Sequence, residues 1–354
     1  MKALRGAIIG LGNVAVAVHL PGWRRRHGVE IVAVSDVDPT RRLAGEAELP
    51  GARWYGSAEA LIADEALDFV DICTPPSSHA PLIRSALLRG LHVLCEKPLV
   101  RSVEELAAVT RLAAASARVL HTVHNWHYAP IVERTSELIA QGAIGRVTHV
   151  IWQTLRTRPA PVADERGANW RVDPAVAGGG VLIDHGWHVF YILQRWMGEP
   201  PTAVSARLET RRHASWEVED TATVRVIFSQ AQADVLLTWA SDERGNSAEV
   251  RGTEGTIALH DDALVLTQGA QERRFSCPPA LSNGSVHPDW FDPVTDRFLA
   301  DVTGQLPRNS NLAEASLCVV LTSLARESSR CAGQVLPVPI AVAPSAGPAS
   351  SSRA

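Results

Sequence analysis

The stretch IIGLGNVA constrains the chain most. It places Gly10-x-Gly12-x-x-Ala15 directly after an apolar run, RGAII, and at the start of a helical run, VAVAVHLPGWRRR. A glycine-rich turn between a strand and a helix is the entrance of a βαβ unit. Gly10 permits a tight turn, Gly12 lets the backbone approach a phosphate, and Ala15 still allows close helix–strand packing. The helix N-terminus, from Asn13 and Val14, offers N–H donors and a positive dipole end to a pyrophosphate. The pattern predicts a parallel sheet with helices on both faces.

The rest of the first 123 residues repeats that alternation. The runs EIVAVSD, DFVDICTPP, LHVLCEKP and RVLHTVH read as strands, and PTRRLAGEAEL, SHAPLIRSALLRG and SVEELAAVTRLAAASA as helices. Ser102 with Glu105 three residues on predicts a capping box. Asp36 ends the second strand, 24 residues beyond Gly12. An acid there accepts the adenosine ribose hydroxyls and repels a 2′-phosphate, so the expected cofactor is NAD rather than NADP. TPPSSH, with Thr74, Pro75 and His79, ends the fourth strand. EKP, with Glu96, Lys97 and Pro98, ends the fifth. Ligands of open α/β sheets bind outside those ends.

After about residue 124 the pattern changes. A helix at roughly 130–141 and the strand RVTHVIWQTL precede a loop rich in Pro, Arg and Ala. A glycine triplet, GGGVLIDHGWH, then opens a helix running to about 197. TAVSARLETR, DTATVRVIFS, ADVLLTWAS, SAEVRGT, GTIALHD and ALVLTQ follow, spaced by turn residues as in a largely antiparallel sheet. Helices near 289–303 and 312–332 close the fold. The expected division is 1–123 for a dinucleotide-binding domain, 124–340 for a substrate and oligomerisation domain, and 341–354 for a disordered tail of small, polar and proline residues. At 354 residues, two domains are the expectation.

Bulk chemistry removes several function classes. A net charge of -4 leaves no basic footprint for nucleic acid. Five cysteines, an odd number without a C-x-x-C pair, argue against a disulfide framework and against a cysteine zinc site. The N-terminal run enters a strand without a signal-peptide cleavage pattern, and no apolar stretch spans a bilayer. A cytoplasmic protein without membrane contact is expected.

In order and spacing, the glycine turn, Asp36, TPPSSH, EKP, HNWHYAP and GGGVLIDHGWH resemble the Gfo/Idh/MocA family of sugar and cyclitol oxidoreductases, over about residues 4–340. The resemblance implies an N-terminal Rossmann domain and a C-terminal α/β domain with an open, mainly antiparallel sheet, which commonly builds a homodimer or homotetramer. It implies Lys97, Asp184 and His188 as the catalytic set, and Glu96 and Asn125 beside the nicotinamide ribose. Trp170 and Arg171, in ANWRVDP, resemble residues that reach back to cofactor or substrate. His127 stands near a position where many relatives carry arginine, and His185 where they often carry a small or apolar residue.

Chemistry adds roles to these residues. Asp184 and His188 are four apart on a helix and share a face. A carboxylate there orients an imidazole and fixes its tautomer. The expected reaction moves a hydride between NAD and a secondary hydroxyl of a sugar-like ring. His188 takes the hydroxyl proton, Asp184 orients it, and Lys97 bonds the reacting oxygen. His127, Arg171 and His185 join them as substrate contacts. A metal reading would gather His124, His127, His185 and His188 with Asp184; the expectation is no metal, and glycines that admit the ligand or nicotinamide closely. For the substrate, a nucleotide sugar such as UDP-glucose, a free pyranose and a cyclitol stay open, with a setting in secondary metabolism. The alternative is an NAD(H)-binding sensor, or a non-catalytic partner subunit of another sugar-modifying enzyme.

Overall fold

The computed structural model describes residues 3–162, 169–284 and 286–339. The expected tail, 341–354, lies outside them. Six parallel strands form the first sheet: β1 (Leu4–Ile9), β2 (Val29–Ser35), β3 (Arg53–Tyr55), β4 (Phe69–Ile72), β5 (His92–Cys95) and β6 (Leu120–Thr122), in the order β3-β2-β1-β4-β5-β6. Their near-continuous apolar runs match burial on both faces. Ala7, Ile8, Val70, Ile72, Val93 and Leu94 are fully buried. The short edge strand β3 carries no strong pattern, and the sequence reading does not single it out.

Local chemistry starts the helices where the sequence predicts. Ser102 accepts from the Glu105 N–H at 3.2 Å and begins the helix Val103–Ser116. The returning half of the capping box lands one residue early, since Glu105 accepts from the Arg101 N–H at 2.8 Å. The first helical run contains a π turn, Ala15–His19, before Leu20–Arg24.

The second sheet has nine strands. They are β7 (Val147–Leu155), β8 (Ala203–Glu209), β9 (Thr221–Ile227), β10 (Gln232–Thr238), β11 (Gly245–Gly252), β12 (Thr256–His260), β13 (Ala263–Gln268), β14 (Gln271–Ser276) and β15 (Leu336–Pro337), ordered β14-β13-β12-β11-β7-β10-β9-β8-β15. Only β7 and β10 pair in parallel among these described strands. The antiparallel expectation therefore holds with one parallel seam at the centre. The helices Trp187–Met197 and Leu312–Arg330 cover one face. Alternating burial along β9 and β10 leaves the other face, with Arg225 and Asp234, half open.

The helix Pro288–Val302 does not stay with the second sheet. Its Phe291, Val294 and Phe298 pack with Trp23, Phe69, Leu94 and Val119 of the first layer. Arg25 is paired with its Asp292 at 2.7 Å. The core of the nucleotide-binding layer is thus closed by a segment from the far end of the chain, outside the expected 1–123.

Candidate active site

The carboxyl ends of β1, β2, β4, β5 and β6 converge on one rim, and the motifs sit there. Gly10 has φ +92°, and a Cβ on it would meet the Thr74 methyl at 2.8 Å. At Gly12 a Cβ would meet nothing within 4 Å, so this turn leaves room for a phosphate against the backbone. Asn13 and Val14 open the helix behind it. Asp36 is held by the Leu11 N–H at 2.7 Å and the Asp38 N–H at 2.9 Å, one on each carboxylate oxygen. Each oxygen keeps a lone pair for a ribose hydroxyl. These features fit a dinucleotide.

His79 behaves differently from the expectation of a cofactor contact. It is fully buried, with Nδ1 2.8 Å from the Pro98 carbonyl and Nε2 2.8 Å from the Thr74 carbonyl. Burial keeps the imidazole neutral, so its one N–H donates to one of these two carbonyls while the ring packs between the TPP and EKP loops. Thr74 and Pro75 remain at the rim, and Ser78 donates to the Thr74 hydroxyl at 2.7 Å.

Glu96 is fixed by groups the sequence reading misses. His19 Nε2 lies 3.1 Å from Glu96 Oε1, and His19 Nδ1 lies 2.8 Å from Asp71 Oδ2. The Trp23 indole donates to the same Asp71 oxygen at 2.6 Å. Burial alone would lower the His19 pKa, but Asp71 and Cys73 beside it raise it well above the usual value. Burial works against ionised Glu96 too, yet the His19 bond and Lys97 hold its pKa below normal. The result is an ionised carboxylate beside Lys97, with its other oxygen accepting from the Lys97 N–H at 2.9 Å.

Lys97 reaches across to the second half of the chain. Its Nζ donates to Asp184 Oδ1 at 2.8 Å and to the Asp184 carbonyl at 3.0 Å. Arg171, lying over the Trp170 ring at 4.3 Å, stands 3.9 Å from Asp184 Oδ2, and His185 Nε2 stands 3.7 Å from it. Burial would raise the Asp184 pKa, but Lys97 and the cations around it hold the carboxyl far below its usual range. Burial and then the cations Arg156, Lys97 and Arg244 push His185 down to about 3, against the opposing pull of Asp184. His185 is therefore a neutral wall of the pocket.

The expected Asp184–His188 pair does not form. Asp184 turns to Lys97, while His188 Nδ1 bonds the Tyr191 hydroxyl at 2.8 Å. Each side chain is taken by another partner, and Asp184 itself lies in a π turn, Leu182–Gly186, just before the α-helix that carries His188. Trp126 stacks on the His188 ring at 4.3 Å and 12° and fixes its plane. Burial first, and then the Lys97 cation, hold the His188 pKa well below its usual value, so the imidazole is neutral near pH 7.

The glycine triplet also has another cause than the one expected. A Cβ on Gly180 would overlap the Glu219 carbonyl oxygen, and Gly178 (φ +83°) packs on the Arg101 side chain. The Glu219 carboxylate accepts from the Gly180 and Leu182 N–H groups, each at 3.0 Å. The close approach is therefore to the protein's own backbone, and it anchors the turn that carries Asp184. Gly180→Ala should cost about 1–3 kcal/mol through overpacking, read as a lower urea midpoint together with lost turnover. An unchanged midpoint would contradict this role.

The other two histidines, His124 and His127, share one partner. His124 Nδ1 and His127 Nε2 hold the two oxygens of Glu314 at 2.6 and 2.9 Å. Burial would raise the Glu314 pKa, and the two imidazoles bring it far below normal. His127 is thus turned to Glu314 rather than free for substrate. The five residues of the metal reading do not meet. Among the described residues, ligand atoms gather only as His124, His127 and Glu314, and as His19, Asp71 and Cys73, and both groups are internally hydrogen-bonded. Asn125 sits in the Asn125–Tyr128 turn after β6, on the same rim. Of the arginines, Arg156 is buried against the Gly245 carbonyl at 3.0 Å, and Arg158 is exposed.

Comparison with known proteins identifies the family. Residues 4–124 match a family model described as an oxidoreductase family, NAD-binding Rossmann fold. Residues 132–258 match the GFO/IDH/MocA C-terminal domain. A D-xylose 1-dehydrogenase (NADP(+)) from Haloferax volcanii is 31% identical over 85% of this chain and 90% of its own length. A D-apiose dehydrogenase from Paraburkholderia graminis is 28% identical over 81% of this chain and 76% of its own. The crystal structure of an oxidoreductase domain protein from Kribbella flavida superposes with a TM-score of 0.82 at 24% identity, over 96% of this chain and 100% of that one. With a nucleotide-binding rim and a lysine–aspartate pair at its mouth, the chain belongs to the Gfo/Idh/MocA family of NAD(P)-dependent oxidoreductases.

Proposed function

We propose that the protein exchanges a hydride between NAD and a secondary hydroxyl of a sugar-like ring. The observation that carries this reading is the convergence of Lys97, Asp184 and His188 at the rim where the glycine turn and Asp36 end. Gly10, Gly12, Asn13 and Val14 would hold the pyrophosphate, and Asp36 the adenosine ribose. Thr74, Pro75, Glu96 and Asn125 would line the nicotinamide half. The nicotinamide supplies the hydride chemistry, and the chain fixes distance, excludes water and handles the proton. Lys97 donates two of its three N–H bonds to Asp184, which would leave one for the reacting oxygen. His188 and Arg171 complete the contacts there, with His185 as a neutral wall.

The preference for NAD over NADP rests on Asp36, since its carboxylate would repel a 2′-phosphate. Asp36→Ala should lower the ratio of kcat/KM for NAD to that for NADP by about tenfold or more, the order expected when one ribose-directed, charge-assisted contact is lost. An unchanged ratio would remove that role. Several relatives act on free sugars by name, D-xylose and D-apiose among them. A free pyranose or pentose, a cyclitol and a nucleotide sugar such as UDP-glucose all present the required ring alcohol. The half-open face of the second sheet is the surface we assign to a homodimer or homotetramer. No helix among the described residues is long and apolar enough to cross a membrane, and the cytoplasm is the compartment that supplies NAD and sugar substrates. Turnover of NAD with one member of a panel of ring alcohols tests the reading. NAD binding without turnover on any of them would favour a sensor or partner-subunit role.

A further inference from the structure

We propose that Tyr191 fixes neutral His188 in the form protonated on Nε2, so that His188 donates a hydrogen bond to the reacting oxygen instead of taking its proton. The inference rests on the reading of this pocket as the hydride-transfer site, and it revises the role that sequence reasoning gives His188.

The count of protons at the Tyr191 hydroxyl fixes the tautomer. The Tyr191 hydroxyl lies 2.9 Å from the Trp126 backbone N and 2.8 Å from His188 Nδ1. A backbone N–H only donates, so Tyr191 accepts there with an oxygen lone pair. Its single proton then has one acceptor among the described residues, His188 Nδ1. A neutral imidazole that accepts on Nδ1 carries its proton on Nε2. The opposite tautomer would aim two donors at the tyrosine oxygen and leave the buried tyrosine proton without a partner. An imidazolium would do the same and would add a charge beside the Lys97 cation.

The rings are held against rearrangement. Trp126 stacks on His188, and His124, itself bound to Glu314, stacks on Tyr191 at 4.4 Å and 25°. The ionisable groups around His188 are Lys97, Asp184, His185 and His124. Asp184, the one carboxylate among them, is paired with Lys97 and makes no hydrogen bond to His188. His188 Nε2 bonds no described residue.

Beside Lys97, whose charge His188 feels, the His188 Nε2–H would then be a second N–H donor for the reacting oxygen. A carbonyl oxygen has two lone pairs and no proton, and accepts both. An alcohol oxygen carries a proton and needs an acceptor as well. The site is complementary to the ketone, as a neutral, electrophilic histidine suits a carbonyl. In reduction a bound nicotinamide would supply the hydride for the new C–H bond as the carbonyl π bond breaks, and the oxygen would take a proton from the Lys97 ammonium. Lys97 is left as the amine, and oxidation reverses each transfer.

Long-range proton–nitrogen spectra of the full chain carrying 15N-histidine test this directly. The His188 signals are identified by their loss in His188→Asn. We expect the neutral Nε2–H pattern at neutral pH in the wild type, and a shift towards the Nδ1–H form in Tyr191→Phe. A wild-type Nδ1–H form or an imidazolium would overturn the proposal. An unchanged tautomer in Tyr191→Phe would overturn the role of Tyr191. Should that variant fail to fold, the wild-type spectrum alone decides. The readout needs no turnover, so a protein inactive on every sugar tested would count against the proposed function and leave the tautomer result to stand by itself.

Discussion

Lys97→Met is expected to lower turnover about 10²–10³-fold, the usual cost of losing one preorganised donor at a developing oxyanion. NAD affinity should change little. Lys97 Nζ bonds Asp184 twice; in the proposed reading its remaining N–H would serve the reacting oxygen, while Gly10, Gly12 and Asp36 would hold the cofactor. Steady-state kcat and a fluorescence titration with NADH separate the two effects. Lost NADH affinity with normal turnover at saturating cofactor would make Lys97 a cofactor residue only. The variant also leaves Asp184 without its cation. Part of the loss will therefore come from a carboxylate that no longer holds its place in the pocket, and Lys97→Arg should recover little, because a planar fork does not reproduce a point donor.

His188→Ala should lower turnover by about 10²–10³-fold, again the size of one donor lost at the reacting oxygen. It should also lower stability by about 1–3 kcal/mol, because the buried Tyr191 hydroxyl keeps its bond from the Trp126 N–H but its own proton loses the His188 acceptor. A thermal midpoint measured beside kcat distinguishes chemistry from collapse of the stack. Near-normal turnover in a folded variant would remove His188 from the reacting centre.

Both residues were visible in the sequence, and their partnership was not. The glycine turn, Asp36, EKP and the aspartate–histidine helix carry local patterns tied to strand ends, so the rim of the site can be read from the chain. The pairing inside the pocket depends on Lys97, 87 residues before Asp184, and Asp184 sits on a π turn at Leu182–Gly186. No residue pattern announces that turn. Tyr191 was within reach, since it lies three positions after His188 on the same helix and i, i+3 neighbours meet. Glu314 was not, because it approaches His124 and His127 from nearly two hundred residues away. Separation along the chain likewise hides Glu219, 39 residues beyond Gly180, under the glycine triplet, and the helix Pro288–Val302 against the first sheet. The edge strands β3 and β14 escape the reading because short, exposed strands lack a strong alternation.

The central claim is that this pocket exchanges a hydride between NAD and a ring alcohol. The most direct measurement is the near-ultraviolet absorbance of NADH, followed as the purified protein meets NAD with inositols, free pentoses and hexoses, sugar phosphates and nucleotide sugars. The account predicts NADH formation with at least one ring alcohol, lost in Lys97→Met. Absence of NADH with every member of the panel, in a protein that binds NAD, would contradict it and point to a sensor or a partner subunit instead.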